Sequence, residues 1–145
     1  MGKSEREARP GEKISLAEFL RRLEVILPLV QGWNPDLLIA VNPEGLILSG
    51  FLTSFWNKEV RNMAFQEEPF QIIWDNLGNL EGKRAALVAR RFGEEKSREK
   101  LEEWVKECGA LSVLVMVAVG GGGDYSLFPE WEEDVLLPWE DREIR

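Results

Sequence analysis

The pattern of apolar and polar positions predicts a chain of alternating helices and strands. Ser15 and Glu18 form a capping box, and apolar residues then recur at helical spacing as far as Pro28, where we expect the first helix to bend or end. Three continuous apolar runs are typical of strands buried on both faces: residues 36–41, 84–90 and 111–119.

Weaker patterns complete this alternation. Helical spacing returns in residues 46–56 and 94–108, and strand-like patterns occupy residues 59–65 and 70–74. The order of strand, helix and strand predicts an α/β protein with a doubly wound parallel sheet and helices on both faces.

The loops that follow the strands are the predicted places for a site, because ligands of such sheets bind beyond the carboxyl ends of the strands. Residues 42–45 form a turn after the first strand, and residues 91–96 follow the strand that ends at residue 90. Four glycines, residues 120–123, follow the last predicted strand, and they suit either a flexible connector or a cradle for a ligand.

The length of the chain predicts a single domain. The 145 residues suffice for one domain, residues 14–145, behind a polar leader, residues 1–13, that we expect to be flexible.

The charge of the chain narrows the range of partners. The net charge of −8 disfavours nucleic acid and anionic membrane surfaces, since an acidic chain releases no counterions there. The longest apolar run is too short to cross a bilayer. We therefore expect no nucleic acid or membrane as a partner, and a cytoplasmic location.

The chain contains one cysteine, Cys108, and no histidine. A disulfide within the chain is therefore excluded, which fits a reducing compartment. The lack of histidine excludes Ser-His-Asp and Cys-His catalysis and most zinc sites, so we predict no metal site. Any acid–base chemistry would fall to carboxylates, lysines or Tyr125.

Three stretches of the chain resemble the type I phosphoribosyltransferases. PDLLIAVNPEGLILSGFLTSFW is similar to their first strand, pyrophosphate loop and helix, and LEGKRAALVARRFGEEKSREKLEEWVKECGALSVLVMVAV is similar to their later strand, phosphate loop, helix and strand. The closing LLPWE is similar to the hood of purine-type members. The resemblance covers roughly residues 15–65 and 80–140. It implies a phosphoribosyltransferase-like core with a small hood from the C-terminal segment.

The residues that this family uses for phosphoribosyl pyrophosphate are changed here. The family's strand runs into two acids that hold the ribose hydroxyls, and a T-G-x-T loop then holds the 5′-phosphate. Ala89 and Arg90 stand in place of the acids, and EEKS, residues 94–97, stands in place of the loop. We expect the side chains of Glu94 and Glu95 to take the loop's own N–H groups, although both also suit the first turn of a helix.

Two other contacts of the family are altered as well. Glu44 stands where the pyrophosphate loop has a basic or small residue, and Pro43 removes one N–H donor from that loop. Asp134 stands where purine-type members place an aromatic residue that stacks on the base. The resemblance therefore indicates a site that is degraded at its ribose, phosphate and base positions.

The loops and the resemblance together give the candidate site residues. Glu94 and Glu95 are the catalytic candidates if any catalysis is retained. The predicted ligand-binding residues are Asn42, Glu44, Gly45, Arg90, Arg91, Lys96 and Ser97. For the two arginines we favour ion pairs with the nearby acids, Glu44, Glu94 or Glu95, over the binding of an anion.

These features predict a phosphoribosyltransferase-like pseudoenzyme that serves in binding, regulation or assembly, as a homodimer without a cofactor. The alternative is an active enzyme of nucleotide metabolism that acts on a nucleotide or nucleobase-type substrate through a non-standard site, and Mg²⁺ belongs only to that alternative. A third interpretation is an unrelated doubly wound domain. Four tryptophans suit either a protein interface or the core: Trp56, Trp74, Trp131 and Trp139.

Overall fold

A single mixed sheet organises the part of the chain that the computed structural model describes, residues 12–131 and 135–140. Its helices are α1 (Leu16–Trp33), α2 (Asn42–Thr53) and α3 (Glu95–Glu107), and none of them is long and apolar enough to cross a membrane. Its strands are β1 (Leu37–Val41), β2 (Glu59–Gln66), β3 (Gln71–Asp75), β4 (Arg84–Ala89), β5 (Ser112–Val119) and β6 (Tyr125–Phe128).

The strands lie in the order β3-β2-β1-β4-β5-β6, and every neighbouring pair is parallel except β2 and β3. Side chains alternate between the two faces of the sheet. Leu38 and Val88 belong to the core beneath α1 and α2, whereas Ile39 and Leu87 belong to the core beneath α3. Helices on both faces of a largely parallel sheet confirm the predicted doubly wound α/β fold.

Two helix boundaries differ from the prediction. α2 begins at Asn42 and not after a turn, because Pro43 lies in its first turn, where a missing N–H costs nothing. α1 continues through Pro28 and ends at Trp33. That last turn is held by Arg84, whose Nη2 donates to the Trp33 carbonyl at 2.6 Å and whose guanidinium lies 4.2 Å from the centre of the indole ring.

The C-terminal segment, residues 135–140, pairs with the residues that precede α1. Leu136 and Lys13 form a parallel bridge, in which the Leu136 N–H donates to the Glu12 carbonyl and the Ile14 N–H donates to the Leu136 carbonyl. Glu12 and Lys13, which we assigned to the leader, are thus joined to the domain. Residues 1–11 and Asp134 lie outside the described residues. β6 was not predicted, because it is only four residues long and follows the glycine run.

Gly45 lets α2 approach the sheet closely. It is buried in the first turns of α2, and a Cβ atom at this position would lie 2.2 Å from the carbonyl oxygen of Val88 in β4. A backbone oxygen inside the sheet cannot move away cheaply. The close packing of α2 on β4 therefore requires a residue without a side chain.

Substitution of this glycine gives a test with an internal control. We expect Gly45→Ala to lower the free energy of unfolding by about 1–3 kcal/mol or more through overpacking. Gly50→Ala in the same helix should raise it by about 0.5–1 kcal/mol, since a Cβ there meets nothing within 4 Å and alanine favours the helix. Urea unfolding of both variants checks this, and equal effects would contradict the packing argument.

Candidate functional site

The carboxyl ends of β1, β4 and β5 lie side by side, and three loops leave the sheet there. They are the start of α2, residues 90–94 before α3, and the glycine run at residues 120–123. All of the sequence-predicted site residues belong to the first two of these loops or to the first turn of α3. The structure therefore brings them to one edge of the sheet, where parallel α/β proteins bind ligands.

The predicted site residues after β1 mostly make contacts that support the fold. Asn42 has a positive φ of 62°, and its Oδ1 accepts a hydrogen bond from the Phe65 N–H at 2.9 Å, which ties the end of β1 to the end of β2. Gly45 is buried against Val88, as described above. Glu44 is exposed in the first turn of α2, where a carboxylate interacts favourably with the helix dipole.

Arg90 forms a bidentate ion pair with Glu140 of the C-terminal segment. Its Nε and Nη2 donate to the two carboxylate oxygens at 2.7 and 3.0 Å, and Nη2 also donates to the Val135 carbonyl at 2.6 Å. The side chains of Arg90 and Glu140 are only 10% and 11% exposed. For Arg90 the expected pairing with Glu44, Glu94 or Glu95 is thus wrong, because its guanidinium binds Glu140, which lies fifty residues away along the chain.

The neighbouring tryptophan anchors the same segment on the helices. Trp139 stacks on Phe51 of α2 with ring centres 5.4 Å apart, and it meets Phe19 of α1 edge-on at 5.2 Å.

The other tryptophans considered for an interface differ in exposure. Trp131 is buried, at 7% exposure. Among the tryptophans proposed for an interface, Trp74 is the most exposed, at 52%. Core packing therefore accounts for Trp131 and for much of Trp139.

The N–H groups of the loop before α3 are taken by a glutamate that the sequence did not indicate. Glu67, in the turn between β2 and β3, accepts hydrogen bonds on one carboxylate oxygen from the Gly93 and Glu94 N–H groups at 3.0 and 3.2 Å. Glu94 precedes α3, and its own side chain makes no capping bond. The expectation that Glu94 and Glu95 would take these N–H groups is wrong, because Glu67 accepts from the Gly93 and Glu94 N–H groups instead.

A small cavity of about 200 Å³ lies against this glutamate. Lys96 and Ser97 line it, together with Lys100 from the next turn of α3. Ser97 is buried, at 2% exposure, and Lys100 also lies 5.0 Å from the ring centre of Phe70. The predicted residues Lys96 and Ser97 thus meet at a cavity that Glu67 borders.

A larger cleft, of about 470 Å³, lies on the other side of the loop. Arg91, Glu94 and Glu95 line it opposite the glycine run. Arg98 holds that run in place by donating to the Gly122 carbonyl at 2.9 Å and to Asp124 at 3.0 Å. Burial alone would lower the pKa of Arg98, but hydrogen bonds to Glu102 and Asp124 outweigh it and raise the pKa, so this anchor stays charged.

The chain's own titratable groups limit the chemistry of the site. No group of three or more aspartate, glutamate, cysteine or histidine residues within residues 12–131 and 135–140 is arranged to hold a metal ion. Cys108, at the far end of α3, is a poor nucleophile, since burial and then the charges of Asp75 and Glu107 raise the pKa of its thiol.

Comparisons with known proteins agree on the fold. No protein-family model matches the chain, and no curated protein matches it. Among solved structures, the chain is similar to a purine phosphoribosyltransferase from Pyrococcus horikoshii Ot3, with 21% identity, a TM-score of 0.76, and coverage of 92% of this chain and 96% of that one.

Two further structures are similar to the chain at lower identity. A hypoxanthine-guanine phosphoribosyltransferase from Bacillus anthracis is 11% identical, with a TM-score of 0.71 over 88% of this chain and 84% of that one. A hypoxanthine phosphoribosyltransferase of Trypanosoma cruzi is 15% identical, with a TM-score of 0.66 over 81% of each chain. The fold is therefore that of the phosphoribosyltransferases, and the resemblance expected from the sequence is confirmed at this level.

The Arg90–Glu140 pair can be tested by removing one partner. Arg90→Ala should lower the free energy of unfolding by about 3–5 kcal/mol, because it removes one side of a largely buried ion pair together with the bond to the Val135 carbonyl. Arg21→Ala is the control, since Arg21 pairs with Glu18 at the exposed surface of α1 and its loss should change stability little. Chemical unfolding of both variants measures the difference, and a small effect at Arg90 would contradict a structural role for the pair.

Proposed function

We propose that this chain is a phosphoribosyltransferase-like protein that has lost phosphoribosyl transfer and acts as a binding, regulatory or assembly protein. The observation that carries this proposal is the buried ion pair between Arg90 and Glu140. It occupies the end of β4, the strand that in the family runs into the two acids that hold the ribose.

The substitutions at this strand end remove the chemistry that the family uses there. Ala89 is 2% exposed and offers a methyl group in place of the first carboxylate. Arg90 reverses the charge of the second position, and its guanidinium is already engaged by Glu140 and by the Val135 carbonyl. A sugar bound here would not find the two carboxylates that hold its hydroxyl groups in the family, and opening the ion pair to make room would cost several kcal/mol.

The phosphate loop supports the same conclusion. In the family its N–H groups hold the 5′-phosphate, and here the Gly93 and Glu94 N–H groups donate to Glu67. A phosphate would have to displace that carboxylate and approach the carboxylates of Glu94 and Glu95 as well. The ribose and phosphate positions are thus both occupied by groups of the chain itself.

The second candidate, an enzyme with a non-standard site, is favoured by the 470 Å³ cleft. Glu94 and Glu95 line this cleft beside Arg91, which gives it carboxylates for acid–base chemistry and a cation for an anionic substrate. Such an enzyme would act on a nucleotide or nucleobase-type substrate, with Mg²⁺ as its cofactor.

Ligand titration separates the two functions. The wild-type protein should show no thermal shift with phosphoribosyl pyrophosphate, pyrophosphate or nucleotides, with or without Mg²⁺, whereas a ligand at a hundredfold excess over its Kd would stabilise the native state by about 2.7 kcal/mol. The Pyrococcus horikoshii purine phosphoribosyltransferase serves as the control. Turnover of any nucleobase that Glu94→Gln or Glu95→Gln abolishes without loss of stability would favour the enzyme and defeat the first proposal.

The chain is also proposed to form a homodimer, and the outer surface of α2 supports this. Leu46 and Ile47 are 50% and 43% exposed on this helix, and Phe55 just beyond it is 63% exposed. Exposed apolar side chains on one helix are candidate contacts for a second copy of the chain. Sedimentation velocity should show a dimer that Ile47→Lys weakens at least about tenfold in Kd, and Leu111→Lys, at an exposed apolar residue elsewhere, should not. A monomeric wild type would contradict the proposal.

A further inference from the structure

We propose that the groove between α1 and Phe55 receives the α1 helix of a second copy of this chain, so that two α1 helices pack antiparallel about a two-fold axis. This inference rests on the homodimer proposed above and deepens it. It adds α1 to the interface, and it fixes the relative orientation of the two copies through two opposite charges, Arg21 and Glu24.

The groove is an apolar cavity of about 640 Å³ that runs along α1. Leu20, Leu23 and Leu27 line it from α1, and Phe55, which lies just beyond α2, lines it as well. Leu23 is 2% exposed and Phe55 is 63% exposed. A partner that covers this groove is stabilised there, because it removes apolar surface from water.

The side of the sheet that carries α1 and α2 holds most of the exposed apolar side chains. Six of the ten large apolar side chains that are exposed within residues 12–131 and 135–140 lie there: Leu16, Val25, Leu29, Leu46, Ile47 and Phe55. Phe55 belongs both to the groove and to the α2 surface of the proposed homodimer. The two surfaces are therefore continuous, and one second copy can cover both.

Four residues that line the groove lie along one stripe of α1. Ala17, Arg21, Glu24 and Pro28 follow one another at intervals of four, three and four residues, the spacing of the seam in a coiled coil. The two charged residues are exposed at the centre of the stripe, and short side chains occupy its ends. Short side chains at the ends let a second helix approach to the distance of about 8–10 Å that is usual for packed helices.

The charges of this stripe favour an antiparallel pair of helices. When Arg21 lies opposite Glu24 of the second copy, the two-fold axis repeats the same pair and also sets each Ala17 opposite a Pro28. A parallel pair in register would instead set arginine against arginine and glutamate against glutamate, and like charges disfavour association. The stripe is thus complementary to a second copy of itself in one orientation.

The ion pair of Arg21 on its own helix is compatible with this contact. Arg21 donates to Glu18 through Nε and Nη2. A guanidinium carries five N–H donors, so these two bonds leave donors for a second carboxylate. Glu18 therefore holds Arg21 without occupying it fully.

Charge reversal tests the orientation of the two helices. Arg21→Glu and Glu24→Arg should each weaken the dimer at least about tenfold in Kd, because each variant sets two pairs of like charges against one another. An equimolar mixture of the two variants should recover the dimer, since one variant carries acids at both positions and the other carries bases. Sedimentation velocity of the wild type, the two variants and their mixture measures this.

Two further variants separate the contact from net charge and from folding. Glu99→Arg makes the same change of charge at an exposed position of α3, on the other face of the sheet, and should dimerise as the wild type does. Arg21→Glu brings three glutamates together on α1. If circular dichroism shows that it does not fold, Ala17→Lys tests the same stripe, because a long side chain opposite Pro28 should hold the helices apart and weaken the dimer.

Each outcome decides the pairing of the α1 helices. A dimer that Ile47→Lys weakens but charge reversal leaves intact overturns this pairing and leaves the α2 homodimer standing. A mixture of the folded variants that stays monomeric also overturns it. A monomeric wild type overturns both, and if it binds the apolar dye anilinonaphthalene sulfonate, the groove belongs to a small apolar ligand instead. Phosphoribosyl transfer by the wild type would sink only the proposed loss of catalysis.

Discussion

The Arg90–Glu140 ion pair is the interaction on which the arrangement of the candidate site depends. It joins the end of β4 to the C-terminal segment, and Glu140 in addition accepts a hydrogen bond from the Leu137 N–H. The desolvation of two largely buried charges is offset here by a bidentate geometry and by the bond from Arg90 to the Val135 carbonyl. Leu136 of the same segment pairs with Lys13, so the ion pair and this bridge together connect the sheet, the C-terminal segment and the residues before α1.

The charged groups at the carboxyl end of the sheet differ from those that the resemblance implies for a phosphoribosyltransferase. Where the resemblance implies an acid, this chain has the cation Arg90, and the loop N–H groups that would receive a phosphate anion donate to the carboxylate of Glu67. Each of these groups has a partner within the chain. The charges of Arg90 and Glu67 are therefore both compensated by groups of the protein, and neither requires a bound ligand.

The sequence alone predicted the main helices and strands, because each of them is marked by a pattern within a short stretch of the chain. Continuous apolar runs mark β1, β4 and β5, and the Ser15–Glu18 capping box marks the start of α1. β6 escaped prediction because its four residues give too short a pattern. α2 was placed too late, because Asn-Pro at the start of a helix and Asn-Pro in a turn look alike in sequence.

The site was predictable only in part, because its contacts join residues far apart in sequence. The loss of the acids at Ala89 and Arg90 could be recognised from the sequence, and so could a phosphate loop rich in glutamate. The carboxylates that bind this loop and Arg90 could not be recognised, since Glu67 lies 26 residues from Gly93 and Glu140 lies 50 residues from Arg90. The chain has 26 acidic residues, and no local pattern distinguishes these two from the others. Only the fold brings them to the loop and to the end of the strand.

The two closures of the site differ in burial, and this difference assigns them different roles. The side chains of the Arg90–Glu140 pair are about 90% buried, so breaking the pair removes charge-assisted hydrogen bonds from the interior and disturbs folding. The bonds from Gly93 and Glu94 to Glu67 lie at the surface, where water replaces a lost partner readily. The ion pair at the end of β4 is therefore part of the fold, whereas the contact at the loop before α3 contributes less to stability.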